Sequence, residues 1–237
     1  MNDSIKGKVN SIQTLGTLDG PGVRFVVFMQ GCNLRCGCCH NPDTWERADC
    51  TDYTALELCE KAERYREYFA DDGGVTISGG EPLLQSEFCA EFFKECKKRN
   101  LDTCLDTSGS ILNDNVKKLL KYTNRVLLDI KYPTDEDYKT YVGCSIHAPL
   151  KFLDYLQTEN IPTVIRQVII PTLNDTEENI EFLNKLKQKY SCIEKTELLG
   201  FKKICSVKYE KLNLDFKFKD IPTPTKAEME NLQKKIK

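Results

Sequence analysis

The densest chemistry in this sequence is a group of four cysteines within eight residues: Cys32, Cys36, Cys38 and Cys39. Thiolates so close together repel one another, so they need a cation to hold them. The group has three possible interpretations: a structural zinc site, an iron–sulfur cluster, or thiols that bind no metal. Zinc usually takes two separated ligand pairs, but only Cys50 lies nearby and the chain has no second C-x-x-C pair. Soft thiolate ligands favour an iron–sulfur cluster.

A second candidate is the turn Ser78-Gly79-Gly80-Glu81-Pro82, which follows a short apolar run. Alone it is typical of a tight strand-to-helix connection. Glycines let the backbone approach a ligand, and a carboxylate accepts charge-assisted hydrogen bonds. Other polar residues stand within β-like runs or at their ends: Asp106, Thr107, Asp129, Lys131 and Arg166. An aspartate at a strand end is often only a helix cap.

Short β-like runs alternate with helical patterns along the chain. We predict strands at 23–29, 75–78, 103–107, 126–131, 163–170 and 193–199, and helices at 54–69, 85–99, 113–122, 136–142, 149–159 and 176–190. A capping box at Thr225 to Glu228 predicts a last helix. Six βα units imply an α/β fold, a partial (β/α)6 TIM-like barrel open on one side, with an open doubly wound sheet as the competitor. In both folds, function is expected at the carboxyl ends of the strands.

We expect one domain over residues 1–237, with residues 200–237 as a C-terminal cover segment. Within that segment Leu212, Leu214, Phe216 and Phe218 alternate with polar residues. A period of two predicts an edge strand or hairpin laid over the barrel.

The composition excludes several classes of protein. The 237 residues carry 34 Lys and Arg against 36 Asp and Glu, a net charge of −2, which argues against a disordered chain or a general nucleic-acid binder. No apolar stretch approaches the ~20 residues of a membrane span. The N-terminus has no apolar signal core, so we expect a cytoplasmic protein whose 12 cysteines are thiols or ligands. The eight cysteines outside the group are predicted to be small buried apolar residues.

The C-x3-C-x2-C spacing of Cys32, Cys36 and Cys39 resembles the signature of the radical S-adenosylmethionine (SAM) enzymes, and G-G-E-P follows in that family's order. Within the family, the chain is most similar to the activating enzymes of glycyl radical enzymes. The resemblance covers almost the whole chain, through the segments TLDGPGVR (17–24), QGC (30–32), CHNPDTW (39–45), CLDTSG (104–109), LDIK (128–131) and IRQV (165–168). Related activases insert a domain with two more clusters after Trp45, but here only one helix is predicted before Val75, so we expect one cluster.

The resemblance implies a role for each matching residue. Cys32, Cys36 and Cys39 would ligate a 4Fe-4S cluster whose open iron SAM chelates. Gly79, Gly80 and Glu81 would contact the SAM amino end, and Lys131 would neutralise its carboxylate. Asp106, Thr107 and Asp129 would form a Na+ or K+ site beside SAM, while Asp19 and Gly20 would face the substrate loop. The other residues implied to line the cofactors are Cys38, His40, Ile130, Arg166 and Lys202.

Cys38 and Lys202 depart from the family pattern, and His40 directly follows a cysteine of the triplet. Cys38 replaces the aromatic residue usual in the family, and we favour packing over ligation because cysteine is a small polarizable group. His40 is interpreted as packing at the cluster edge. Lys202 stands where close relatives carry a histidine, and it offers a positive donor but no imidazole. His147, outside any motif, is predicted to be a surface or capping residue.

The resemblance implies an enzyme that cleaves SAM reductively and uses the 5′-deoxyadenosyl radical to take a hydrogen atom from a glycine of a partner. No catalytic residue is expected beyond the cluster and SAM. The expected partners are a glycyl radical enzyme, with pyruvate formate-lyase as first candidate, and flavodoxin or ferredoxin as electron donor. We expect a monomer that binds neither nucleic acid nor membrane. The rival interpretations are an activase of another glycyl radical enzyme, a radical SAM enzyme acting on a small molecule, and a non-enzymatic metal-binding protein.

Overall fold

The computed structural model describes residues 5–46 and 50–237. In these ranges eight strands form one sheet, in the order β3-β1-β2-β4-β5-β6-β7-β8. The strands are β1 (Lys6–Gly16), β2 (Arg24–Met29), β3 (Thr51–Thr54), β4 (Gly74–Gly79), β5 (Asp102–Thr107), β6 (Arg125–Asp129), β7 (Thr163–Ile169) and β8 (Ile193–Gly200). The pairs β2–β4, β4–β5 and β7–β8 are parallel. The order is linear, with β3 and β8 at the edges, so the predicted open α/β fold is confirmed.

The six predicted strands are present within one or two residues of their predicted bounds, but β1 and β3 were not predicted. β1 runs antiparallel to both β2 and β3. Its burial alternates along the strand, but the register shifts between Val9 and Ser11 and only three of its residues are buried. Because so few buried residues carry little period-two signal in the sequence, pairing with β2 defines this segment as a strand.

Eight α-helices accompany the sheet in the described residues: α1 (Ala55–Glu63), α2 (Ser86–Lys98), α3 (Asp114–Leu120), α4 (Asp135–Tyr141), α5 (His147–Thr158), α6 (Glu177–Lys189), α7 (Ser206–Lys211) and α8 (Lys226–Lys235). The capping box predicted at Thr225 and Glu228 is confirmed. His147 is exposed and begins α5, as expected. Among the described residues, no helix combines the length and apolarity that a membrane crossing requires.

Two predictions of local structure were wrong. The helix predicted to continue to residue 69 ends at Glu63, and a short 3-10 turn and the left-handed backbone of Ala70 (φ 49°) then reverse the chain. The segment 212–218 is neither an edge strand nor a hairpin. Phe216 and Phe218 are buried and Leu212 and Leu214 are exposed. Phe216 is buried by stacking on Tyr209 of α7 at 4.7 Å and not by pairing with a strand.

The chain divides into two compact units. The first unit comprises Met1–Asn33 and Thr44–Leu127, and its core includes Phe25, Ile77 and Phe92. The second comprises Leu34–Asp43 and Leu128–Lys237, with Phe152 and Phe201 in its core. Of the eight cysteines predicted to be buried apolar residues, Cys50 and Cys144 are partly exposed, and the prediction is confirmed for the other six: Cys59, Cys89, Cys96, Cys104, Cys192 and Cys205.

Candidate functional site

In the first unit, the carboxyl ends of β2 and β4 hold the G-G-E-P turn. Gly79, the last residue of β4, has φ +105°, a conformation that favours glycine. The Gly80 amide donates to Met29 O at 2.9 Å, and the Glu81 amide donates to Gly31 O at 2.9 Å. A Cβ on Gly80 would lie 2.2 Å from Gly31 O. Only glycine therefore permits this contact with the chain that leads into the cysteine group.

The Glu81 side chain anchors this turn. It is 1% exposed. Its Oε1 accepts hydrogen bonds from Thr107 Oγ1 at 2.6 Å and from the Leu83 amide at 3.1 Å, and its Oε2 accepts from the Ser108 amide at 3.0 Å and from the Ser108 hydroxyl. Burial raises the pKa of Glu81 above its ordinary value, against the opposing effect of the hydrogen bonds from Ser108 and Thr107. The carboxylate thus joins the ends of β4 and β5, a role that the motif does not reveal.

The neighbouring strand end carries the first part of the predicted cation site. Asp106 and Thr107 are the last two residues of β5. Asp106 Oδ2 accepts a hydrogen bond from Ser78 Oγ at 2.7 Å. Thr107 is buried and donates to Glu81, as above. Both residues offer oxygen atoms, the ligand type that hard cations prefer, and the Na+ or K+ site stays a prediction.

A buried arginine that sequence reasoning did not select organises the turn containing Asp19 and Gly20. Arg24 is fully buried, and its Nε donates to Thr76 Oγ1 at 3.0 Å. Thr76 Oγ1 in turn donates to Asp19 O at 2.7 Å. The other nitrogens of Arg24 donate to Asp102 Oδ1 at 2.8 Å, Val75 O at 2.7 Å, Asp72 O at 3.3 Å and Pro21 O at 3.5 Å. The signal for this residue was an arginine inside the apolar run at 23–29.

In the second unit, backbone hydrogen bonds attach residues Leu34–Asp43, which we term the cysteine loop, to α4. The Arg35 amide donates to Val142 O at 3.0 Å, and the Gly37 amide donates to Tyr141 O at 2.8 Å. A Cβ on Gly37 would lie 2.4 Å from the Phe218 ring. Tyr141 and Phe218 themselves pack edge to face at 5.8 Å. The path of this loop is therefore set by α4 on one side and by the cover segment on the other.

Cys38 differs from the two cysteines of this loop that belong to the triplet. It is buried, while Cys36 and Cys39 are partly exposed. Burial raises the pKa of the Cys38 thiol to about 12, although Lys131 acts in the opposite direction. Burial therefore disfavours the thiolate, which is the form that binds metal. The structure thus supports the interpretation of Cys38 as a packing residue.

A fixed positive charge lies beside the same loop. Lys131 Nζ is 2.7 Å from Asp129 Oδ2, and its side chain is 16% exposed. Burial lowers the pKa of Lys131, but Asp129 and Cys36 more than reverse this and leave the pKa well above its ordinary value. Its backbone is held as well, because Lys131 N donates to Tyr138 Oη at 2.9 Å. A lysine that stays charged and is held in this way can pair with the carboxylate of a ligand and can offset the negative charge of nearby thiolates.

Hydrogen bonds to backbone groups position the remaining predicted residues of the second unit. The buried Ile130 donates its amide to Arg166 O at 3.0 Å, which links the end of β6 to the middle of β7. His40 Nε2 lies 3.0 Å from Lys202 O, and burial lowers the pKa of His40, so the neutral ring can donate this hydrogen bond. The Lys202 side chain is exposed. His40 thus meets the backbone of Lys202 and not its ammonium group.

The donor set of the second unit fits an iron–sulfur cluster. Cys36 and Cys39 offer soft thiolate ligands, and the charged Lys131 acts on Cys36. The Tyr132 hydroxyl is buried without a hydrogen-bond partner in the described residues, and its ring packs 5.2 Å from that of Tyr141, which holds Gly37. Within residues 5–46 and 50–237, no three His, Cys, Asp or Glu side chains converge on one metal ion. A four-iron cluster takes its thiolates on separate irons and does not require that convergence.

Comparison with known proteins agrees with this chemistry. Residues 26–183 match the radical SAM superfamily. The chain is 44% identical over 234 residues to the pyruvate formate-lyase-activating enzyme of Clostridium pasteurianum, covering 98% of both chains. It is 36% identical to pyruvate formate-lyase 1-activating enzyme of Escherichia coli (strain K12), covering 97% of this chain and 95% of the relative.

Among solved structures, Streptococcus suis SuiB bound to precursor peptide SuiA shares the fold, with a TM-score of 0.67 at 14% identity over 88% of this chain and 44% of that chain. This neighbour supports the predicted partial barrel. The superfamily match covers more than half of the chain, and the two curated relatives match it almost end to end. The chain therefore belongs to the radical SAM superfamily and, within it, to the family of pyruvate formate-lyase-activating enzymes.

Proposed function

We propose that this protein activates a glycyl radical enzyme, and that this partner is pyruvate formate-lyase. The observation that carries the proposal is the 44% identity to a pyruvate formate-lyase-activating enzyme across 98% of both chains. When bound, the cluster and SAM would supply the one-electron chemistry, that is, reductive cleavage of SAM and removal of a hydrogen atom from a glycine of the partner.

The chain's own residues bind and orient the cluster and SAM. Cys32, Cys36 and Cys39 would hold the 4Fe-4S cluster. Gly79 and Gly80 bring bare backbone to the SAM amino end, and Lys131, held by Asp129, pairs with the SAM carboxylate. Because no proton need be moved by a side chain, the work of the protein is positioning and exclusion of water. The shortage of histidines, two in the chain, agrees with this.

Several finer assignments form part of the proposal. Asp19 and Gly20 face the glycine-bearing loop of the partner. Asp106, Thr107 and Asp129 bind Na+ or K+ next to SAM, and Cys38, His40, Ile130, Arg166 and Lys202 line the cofactors. A flavodoxin or ferredoxin supplies the electron, and the enzyme works in the cytoplasm as a monomer.

The test is anaerobic reconstitution with iron and sulfide, followed by reduction with dithionite in the presence of SAM. We expect about four irons per chain, release of 5′-deoxyadenosine, and a glycyl radical signal by EPR after pyruvate formate-lyase is added. Cys36→Ala should lose the iron and the nucleoside together. Zinc in place of iron, with no nucleoside released, would contradict the proposal and favour a metal-binding protein without this activity.

The same assay separates the other rivals. If SAM is cleaved but pyruvate formate-lyase gains no radical, other glycyl radical enzymes are offered in its place, and a signal on one of them identifies a different activase. If none gains a radical although 5′-deoxyadenosine still forms, a small-molecule substrate becomes the better account.

A further inference from the structure

Helix α7 in the second unit turns apolar side chains toward solvent. Ile204, just before the helix, is 75% exposed, and Val207 is 56% exposed. Cys205 and Tyr209, on the opposite side, are buried. Val207 and Lys211, four residues apart in α7, share one helical face, and Ile204 lies in the turn that leads into the helix. Exposed apolar groups that lie together in this way mark interaction sites.

The surroundings of this face are strongly basic. Residues 202–219, which we term the lysine segment, carry six lysines against two acidic residues, although the whole chain has a net charge of −2. Lys211 and Lys217 are exposed. A positive patch on a protein that is slightly negative overall steers a negatively charged partner to that patch.

The lysine segment also touches the cysteine loop directly. Tyr209 Oη donates to Cys39 O at 3.2 Å. Lys208 Nζ lies 2.9 Å from Asn41 Oδ1 and 2.9 Å from Asp43 Oδ1. A protein seated on the outer face of α7 would thus be one helix away from the backbone of a proposed cluster ligand. Electron transfer between proteins requires this kind of short path.

We propose that the outer face of α7, formed by Ile204, Val207 and Lys211 with Lys217 beside it, is the docking surface for an acidic one-electron carrier protein. This inference rests on the function proposed above, which needs an electron donor. The small apolar centre with charged surroundings matches the limited interfaces of transient electron-transfer complexes. The glycyl radical enzyme is the less favoured occupant, because its glycine must reach SAM whereas the electron need only reach the cluster.

The test uses the full-length, reconstituted enzyme and an acidic flavodoxin. Lys211→Glu/Lys217→Glu reverses the charge, and Ile204→Ser/Val207→Ser removes the apolar centre. The matched control is Lys185→Glu/Lys226→Glu, whose lysines are 75% and 92% exposed elsewhere in the same unit. 5′-Deoxyadenosine is measured with flavodoxin kept reduced by NADPH and its reductase, and separately with dithionite alone. Flavodoxin binding is measured directly by calorimetry at low and high salt.

We expect both double variants to raise the flavodoxin KM and Kd at least tenfold, while dithionite-driven cleavage and iron content stay at the wild-type level. The charge reversal should also remove most of the salt dependence of binding. Unchanged flavodoxin binding in both variants would overturn the proposal. So would normal flavodoxin kinetics combined with failure to activate pyruvate formate-lyase, which would assign the face to that enzyme. Absence of dithionite-driven cleavage in the wild type would instead refute the proposed function itself.

Discussion

Cys36 and Cys38 carry the same side chain two residues apart, yet the structure gives them different chemistry. Cys36 is partly exposed next to the positive charge of Lys131, while Cys38 is buried and its pKa is raised to about 12. Spacing could name Cys32, Cys36 and Cys39 as a triplet. It could not show that the fourth thiol is buried and its pKa raised, because burial involves residues far along the chain.

Cys38→Ala should keep the full iron content after reconstitution, because a buried protonated thiol is not a ligand. The cost should be limited to lost packing, about 1 kcal/mol in the free energy of unfolding. Iron analysis and urea denaturation measure the two quantities. Cys36→Ala is the control and should lose iron. Equal loss of iron in the two variants would show that Cys38 is a ligand after all.

Arg24 is the residue whose importance was least visible in the sequence. Its guanidinium satisfies Asp102 and three backbone carbonyls, and it supports Asp19 through Thr76. Arg24→Met should lower the free energy of unfolding by about 3–5 kcal/mol, since it leaves buried acceptors without a donor. Arg66→Met is the control, because its ion pair with Glu63 is exposed and should cost less than about 1 kcal/mol. Urea denaturation would contradict this account if the two variants were equally stable.

At the scale of elements, the ends of β2 and β4 show how strands build the site. β2 and β4 run in register from Arg24 opposite Gly74 to Met29 opposite Gly79. The register brings Gly80 against Gly31, immediately before the first cysteine of the triplet. The sequence predicts both strands, but the shared register comes from their pairing. Two motifs about fifty residues apart thereby become neighbours.

Gly80→Ala should separate these two strand ends, because its Cβ would lie 2.2 Å from Gly31 O. We expect a loss of about 1–3 kcal/mol in stability and at least a tenfold weaker binding of SAM, measured by equilibrium dialysis on the reconstituted protein. Gly200→Ala is the matched control, since its nearest neighbours lie at 3.4 Å, an ordinary contact. Wild-type SAM affinity in Gly80→Ala would refute a role for this close approach.

At the scale of the whole molecule, an open sheet has edges that could pair with another chain. β8 is one of these edges, and α8 covers part of it. Gln233 accepts a hydrogen bond from the Leu198 amide at 3.0 Å and donates to Thr196 O at 3.1 Å. One side-chain amide therefore satisfies two backbone groups of this edge strand.

Gln233→Ala should free these two edge groups and increase self-association, which sedimentation velocity would detect as concentration-dependent larger species. Glu230→Ala is the control, because Glu230 lies on the same helix and forms an ion pair with the exposed Lys226. A Gln233→Ala protein that sediments like the wild type at all concentrations would show that this edge needs no such protection.

Local patterns were sufficient for much of this molecule. The triplet spacing and the G-G-E-P turn identified the superfamily, and six strands with the helices between them followed from apolar periodicity and caps. These features depend on neighbours within a few residues, which the sequence contains directly. The alternating apolar residues at 212–218 show the limit of this approach. Phe216 and Phe218 are buried because they pack on other aromatic rings, and the segment is not a strand.

Only the tertiary structure decided the antiparallel strands β1 and β3, the network of Arg24, the anchoring role of Glu81, the burial of Cys38, and the exposed apolar face of α7. Each of these depends on groups brought together from distant parts of the chain. Burial changes the cost of a charge, and strand pairing changes the preference of a weakly patterned segment. Residue types and spacing therefore predicted the chemistry of the chain. Whether a given side chain binds a ligand, packs in the core or supports a neighbour depended on its three-dimensional surroundings.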